Sequence, residues 1–463
     1  MSAASRRRTL TVEMTSGSLW KNILLFSLPL MMTQVLEVLF NLSDVAIAGK
    51  YAYNTYIALG SVGSTTTLVS LFTGLLIGLG GGVNVSVPRG LGMGSDEDVE
   101  HTNHSSLLIC LAAGVLTCLV CVFFAEPMLR LLNTKEEFLP GAVLYLKLYA
   151  LGLPAMGIYN CGNGILSATG DTKRPLIYLS VASVLNVLLN LFFVIVLHMT
   201  VNGVAIATVA ANAVSAALLY VRLTRTDKCV RVERKALRID GASLKRILSI
   251  GLPAGVQSAV FSFANIVIQS AINTLGTVAI AASSAAFNVE ILAYDVLNSF
   301  SQACTTFVGQ NYGAGQIKRC KKTMQLSFLE GAIATFVSVV VLLLSARSLL
   351  AIFNSDPEVI AIGYIRLATI LPAYVFCLIY EILSGYLRGF GISLAPALLT
   401  MLGVCGIRIA WVKFVFPTSM TFQTVMWVYP ISLGATAVLI LCAVLIYRPS
   451  RRFAGLETEE EDK

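Results

Sequence analysis

Charge is scarce in this sequence. Only 13% of its 463 residues are Asp, Glu, Lys or Arg, about half the usual share for a soluble domain. Hydrophobic residues make up 56%, in long runs from end to end. A soluble chain of this size cannot hide that much apolar surface, so the composition excludes an ordinary soluble protein. The ten cysteines show no metal-ligand or paired spacing and read as small hydrophobes. The three histidines, His101, His104 and His198, form no metal constellation, and the first two are expected on a cytoplasmic connection. No nucleophile stands beside a base, which argues against an intramembrane enzyme. "GLLIGLGGG" at 74–82 has no preceding strand and no "GK[ST]", so close helix packing replaces a phosphate-loop reading. The basic start "SRRR" runs into a polar stretch, and the first apolar run is too long for a signal h-region. No cleavable signal is expected.

What remains is an all-α polytopic membrane protein. A spanning helix needs about 20 mostly apolar residues. Twelve stretches qualify: 20–48, 57–87, 104–126, 140–168, 175–198, 202–222, 246–274, 279–309, 324–346, 359–387, 394–416 and 424–447. With a cytoplasmic N-terminus, most of the 33 Lys and Arg fall on inside segments, which places both termini in the cytoplasm. The +8 net charge is then a topology signal, and no nucleic-acid partner is expected. The acidic end "ETEEEDK" reads as a solvated tail.

The chain repeats itself about 221 residues apart. "SLPLMMTQ" answers "GLPAGVQS", "VPRGLGMG" answers "VGQNYGAG", and "LLNTKEE" answers "IFNSDPE". "LPAMGIYN" answers "LPAYVFCL", and "ATGDTKRP" answers "LRGFGISLAP". The organisation follows: an N-terminal segment 1–19, a six-helix lobe 20–222, a basic linker 223–245, a second lobe 246–447 and a tail 448–463. An even number of spans gives both lobes one orientation, as in parallel transporter repeats. Alternating access between two lobes is the main argument for a transporter over a channel.

Ionisable residues at membrane depth are functional hypotheses. On the first span, Thr33, Glu37, Asn41 and Asp44 project at about 0°, 40°, 80° and 20° for a 3.6-residue repeat. They share one face, which must look into the bundle or a wet cavity. A carboxylate there can hold Na+ or a proton, since a dry site penalises a bare charge. Pro29 is expected to bend the helix as a hinge. The alternative is a structural carboxylate satisfied by hydroxyls or Asn. The eighth span puts Glu290, Tyr294, Asn298 and Ser301 on one line, with Asn288, Asp295 and Gln302 on another, so it should border a cavity. Glu381 shares a face with Arg388 at about 10 Å along the axis, too far for an expected direct pair. Arg408, within the eleventh span, either neutralises an acid there or, the preferred reading, snorkels or forms a structural ion pair.

"LPLMMTQVLEVLFNLSDVAIAGK", "VGQNYGAG", "ILSATGDTKRP" and "LRGFGISLAP" resemble the multidrug and toxic compound extrusion (MATE) family. "AFNVEILAYDVLNSFSQACTTFVGQNYGAGQIKR" and "MLGVCGIRIAWVKFVFP" are similar to its bacterial branch. The resemblance implies twelve helices in two pseudo-symmetric lobes and export of organic, often cationic or amphipathic, compounds against Na+ or H+. The partners would be a small-molecule substrate and the lipid bilayer of the cytoplasmic membrane, with a monomer expected and no cofactor beyond the coupling ion. It also implies a cation site joining Asp44 to Asn186, Asn190 and Thr208, with Na+ suited to those oxygens. Related sequences often carry Asp where Asn190 stands, which puts a two-carboxylate proton relay in doubt; Glu37, where Gln is commoner, would supply the second acid. Glu290 would serve protons or cationic substrate, and Glu381 a second-lobe coupling role. The alternative from the same superfamily is a flippase for lipid-linked saccharides. It is weakened by the span count and the mainly acidic intramembrane charge.

Overall fold

The computed structural model describes residues 11–51, 55–132, 134–226 and 229–453, which are helical with no strand among them. The helices are α1 (Leu19–Tyr51), α2 (Thr55–Gly92), α3 (Asp96–Leu131), α4 (Leu139–Ala150), α5 (Leu153–Ala168), α6 (Lys173–Val196) and α7 (Val201–Thr224). After the basic stretch come α8 (Gly241–Asn273), α9 (Thr277–Gly313), α10 (Ile317–Phe353), α11 (Pro357–Gly389), α12 (Leu394–Thr418) and α13 (Phe422–Tyr447). Eleven are long and apolar enough to cross a membrane, and twelve spans result when α4 and α5, bent by 45°, count as one. The chain is therefore a multi-pass membrane protein.

The repeat is written into the backbone. Asp96 and Ile317, Lys173 and Leu394, and Val201 and Phe422 open helices 221 residues apart. Gly94 and Gly315, and Gly170 and Gly391, end helices at the same spacing. All four have positive φ, from +66° to +83°, a conformation that other residues adopt only with strain. The two "LPA" signatures also act alike. At 153–155 the chain restarts as α5 after a break, and at 371–373 α11 narrows to a 3₁₀ turn. Proline cannot donate a helical hydrogen bond, so each repeat bends where its "LPA" falls.

Two compact units cut the sequence differently from the lobes expected at 20–222 and 246–447. Among the described residues, Met32–Ala259 belongs to one unit, and Glu13–Met31 with 260–453 to the other. The cut falls inside α1, just after Pro29, and inside α8. Each is a 33-residue helix. At about 50 Å it outruns the hydrocarbon core, so its two ends find different neighbours. Phe26 packs edge-on against Phe307 with ring centroids 5.4 Å apart, while Asp44 is bonded to α6 and α7.

In the first unit the core runs through α2 to α7, with Leu76, Cys121, Leu129, Leu146, Ile165 and Leu219 fully enclosed. The glycine stripe at 74–82 packs closely, as expected. A Cβ on Gly78 would meet the Gly255 nitrogen at 2.3 Å, and one on Gly82 the Ile247 carbonyl at 2.5 Å. The basic stretch is bound to this unit. Val230 and Val232 are buried in its core. The Glu233 amide donates to His104 Nε2 at 2.9 Å, Asp240 N donates to Ser105 Oγ at 2.8 Å, and Arg246 grips Asp98 through two bonds of 2.8 and 3.0 Å. The Ser243 amide, 2.7 Å from Asp240 Oδ2, caps the start of α8 and holds that carboxyl below the usual carboxylate range. His104, expected on a loose connection, is thus a buried acceptor that docks the linker.

Candidate functional site

Asp44 lies on α1 two-thirds of the way from Pro29 to its end, buried in the first unit with 5% of its surface exposed. Asn190 Nδ2 donates to its Oδ1 at 2.6 Å, and Thr208 Oγ1 lies 2.8 Å from its Oδ2. Asn190 Nδ2 also donates to Asn186 Oδ1 at 3.1 Å, and Asn186 Nδ2 to Thr208 Oγ1 at 3.4 Å. Asn186 and Asn190 are one α6 turn apart, so both present to one side. The set that the family resemblance implies, Asp44, Asn186, Asn190 and Thr208, therefore comes together.

The electrostatics of this cluster are lopsided. Every partner of the carboxylate is neutral, and no Lys or Arg of the described residues pairs with it within 4.0 Å. Asn190 Oδ1 is buried without a donor among the described residues. Two carboxylate oxygens, two amide oxygens and a hydroxyl suit a hard monovalent cation; the carboxylate alone suits a proton. Ser43 Oγ, 3.4 Å from Asn186 Oδ1, extends the cluster, and Tyr145 and Tyr149 on α4 lie within reach of the Asp44 charge. These three were not anticipated, because a lone hydroxyl in an apolar run carries no periodic signal.

The rest of the α1 face divides. Thr33 is buried, Glu37 half-buried and Asn41 exposed. Neither Glu37 nor Asn41 is among the partners of Asp44 within the described residues. Helix geometry explains the split. Asn41 projects furthest from Asp44, about 60° round the helix, while Glu37 is only about 20° off but lies two turns, about 10 Å, away along the axis.

In the second unit two of the expected acids, Glu290 and Glu381, are paired with arginines. Glu290 Oε2 is 2.9 Å from Arg366 Nε, and Glu290 Oε1 accepts the Tyr374 hydroxyl at 3.1 Å. Arg366 Nη1 also donates to Ser283 Oγ at 2.7 Å. Both oxygens of Glu290, the acid expected from sequence to serve protons or cationic substrate, are thus engaged. Glu381 accepts from the Tyr294 hydroxyl at 3.3 Å and from Ser301 Oγ at 3.4 Å, and Arg388 Nη2 lies 3.5 Å from it. The seven-residue separation did not prevent that pair, because an arginine stem spans several ångströms along a helix. Asp295 is buried with Oδ2 unpartnered among the described residues, and Asn298 is half-buried.

Arg366 and Glu330 went unnoticed in the sequence. Glu330 on α10 is buried, and neither carboxylate oxygen has a partner among the described residues. Each stands alone in an apolar run, "IGYIRLATI" and "SFLEGAIAT", and the rule that flagged the other acids would have flagged both. Among the described residues no group of three or more His, Cys, Asp or Glu could hold a metal ion.

A family model described as MatE matches residues 29–192 and 253–412, once in each repeat. The chain is 24% identical over 447 residues to the probable multidrug resistance protein YoeA of Bacillus subtilis, covering 94% of this chain and 96% of that protein. It is 26% identical over 396 residues to the probable multidrug resistance protein NorM of Thermotoga maritima, covering 84% of each. Its fold matches a solved structure described as the outward-facing conformation of a multidrug resistance MATE family transporter of the MOP superfamily. The TM-score is 0.87 at 21% identity, over 97% of this chain and 99% of that one.

Proposed function

The chain belongs to the MatE family, and from that premise we propose that it is a secondary active exporter of amphipathic organic compounds, driven by inward movement of Na+ or H+. The bacterial cytoplasmic membrane is its place, with both termini inside. The relatives carrying multidrug-resistance names support the substrate breadth. They also disfavour a lipid-linked saccharide flippase. The observation that carries the coupling role is the unbalanced charge of Asp44: a buried carboxylate held only by neutral groups.

A bare anion in that position is costly, and a proton or Na+ removes the cost. Na+ would draw the oxygens of Asn186, Asn190 and Thr208 toward itself, and a proton would turn Asp44 into a neutral donor facing those same oxygens. That change pulls on α1 from α6 and α7. The division of the chain into two compact units falls within α1 next to Pro29, where the helix lacks one hydrogen bond and bends cheaply. The cation drives transport only if it binds the two conformations with different affinity.

Purified protein in liposomes, given separate Na+ and pH gradients and fluorescent cationic substrates, tests this reading. Asp44→Asn keeps the size but removes the charge and exchanges one acceptor oxygen for an NH2 donor. It should fold, elute as the wild type does and lose gradient-driven transport. Transport at the wild-type rate in that variant would refute the assignment.

A further inference from the structure

We propose that Arg408, Asn265 and Tyr429 form an anion-binding site in the second unit, which receives the carboxylate, sulfonate or phosphate of an amphipathic substrate. The proposal rests on the transport reading above and adds a charge preference to it.

The three residues come from α12, α8 and α13, the eleventh, seventh and twelfth spans. The Asp44 cluster comes from the fifth, first and sixth, the same three places in the other repeat. Tyr429 stands 221 residues after Thr208, and Arg408 one residue past the matching counterpart of Asn186. Arg408 is flanked by two π turns, 401–406 and 411–415. A π turn takes in an extra residue and shifts the helix face, and such turns gather at functional sites. One corner of the repeat thus holds a carboxylate in the first unit and a guanidinium in the second.

The Arg408 charge is unbalanced. It is only 6% exposed, which excludes snorkelling to the surface. Nη1 donates to Asn265 Oδ1 at 3.2 Å, and the guanidinium carbon lies 4.4 Å from the Tyr429 ring centroid. Neither partner carries a charge. No carboxylate of a described residue lies within 4.0 Å, and Nε is buried without an acceptor among the described residues. The nearby acid cannot serve, since Glu290 is occupied by Arg366 and Tyr374. Arg366 itself lies 5.3 Å from the same Tyr429 ring. Arg366 is balanced by its own carboxylate, Glu290, whereas Arg408 has none within 4.0 Å among the described residues.

A lone cation among membrane spans costs several kcal/mol, so an anionic partner arriving there is strongly favoured. The planar fork of arginine matches carboxylate, sulfonate and phosphate oxygens.

The test measures binding in lipid nanodiscs of phosphatidylcholine, by fluorescence anisotropy of a dansylated bile-acid sulfonate, with ethidium as the cationic comparison. Asn265→Asp supplies an internal carboxylate beside Nη1 without changing the volume, and Arg408→Gln removes the charge. Both should lower the ratio of sulfonate to ethidium affinity at least about tenfold, the scale of one charge-assisted hydrogen bond. Arg408→Lys should keep part of it. A ratio unchanged in Asn265→Asp overturns the proposal, whatever Arg408→Gln does to folding. Displacement of the sulfonate from the wild type by added phosphatidylglycerol also overturns it, because the occupant is then a lipid headgroup. If the wild type transports neither probe but binds sulfonate in an Asn265→Asp-sensitive way, the anion site stands and the transport reading falls.

Discussion

Arg366 Nε lies 2.9 Å from Glu290 Oε2, and both side chains are buried in the second unit. The pair joins α11 to α9, and its outer positions are closed by Ser283 and Tyr374. Removing one partner strands the other as a buried charge, whereas removing both does not. Arg366→Met or Glu290→Gln alone should each destabilise the protein by about 3–5 kcal/mol, and the double variant should recover most of that loss. Thermal unfolding in detergent reads the difference. Equal losses in all three variants would show that the pair contributes nothing beyond packing.

Thr208→Val keeps the shape of the side chain and deletes the hydroxyl 2.8 Å from Asp44 Oδ2. A hydrogen bond to a charged group is worth about 1.5–3 kcal/mol. The concentration of driving ion at half-maximal transport should therefore shift by about tenfold or more, with the folded protein recovered in normal yield. An unshifted value would remove Thr208 from the cation site.

Gly78 and Gly81 differ in what surrounds them, though both lie in the same glycine stripe. A Cβ at 78 would meet the Gly255 nitrogen at 2.3 Å, while one at 81 meets nothing within 4 Å. Gly78→Leu should cost about 1–3 kcal/mol or more from overpacking. Gly81→Ala should be neutral or stabilising by up to about 1 kcal/mol through helix propensity. Melting temperatures of the two variants should move in opposite directions or differ clearly in size.

Asp98→Ala breaks the two-bond grip on Arg246, and His104→Ala removes the acceptor of the Glu233 amide. Each should release the basic stretch from the first unit. Tryptic cleavage after Arg234 or Lys235 should then speed up by about tenfold, as expected for losing one or two bonds that close a local opening. Mass spectrometry of the early fragments locates the cut; unchanged cleavage rates would mean that Val230 and Val232 hold the stretch by themselves.

Much of this protein is legible along the chain. Apolar run lengths give the spans, because hydrocarbon demands about 20 residues per crossing. The repeat marks the turns, because positive φ and a missing amide hydrogen are properties of glycine and proline wherever they stand. Asp44 stands out as an acid inside an apolar run, and the partners that the family resemblance implies for it, Asn186, Asn190 and Thr208, meet it within hydrogen-bonding distance.

The pairings belong to the tertiary structure. Helical periodicity says which side of its own helix a residue occupies, but not which other helix lies there. Glu290 looked open until α11 brought Arg366 to it, and Arg408 looked paired until α8 and α13 supplied only Asn265 and Tyr429. The same holds for Glu381 and Arg388, which long side chains unite across two turns, and for a basic stretch whose two valines find a core. Sequence alone therefore determined a duplicated membrane bundle with acids inside it. Packing decided which of those charges are balanced, because compensation acts over a few ångströms that only the folded chain can set.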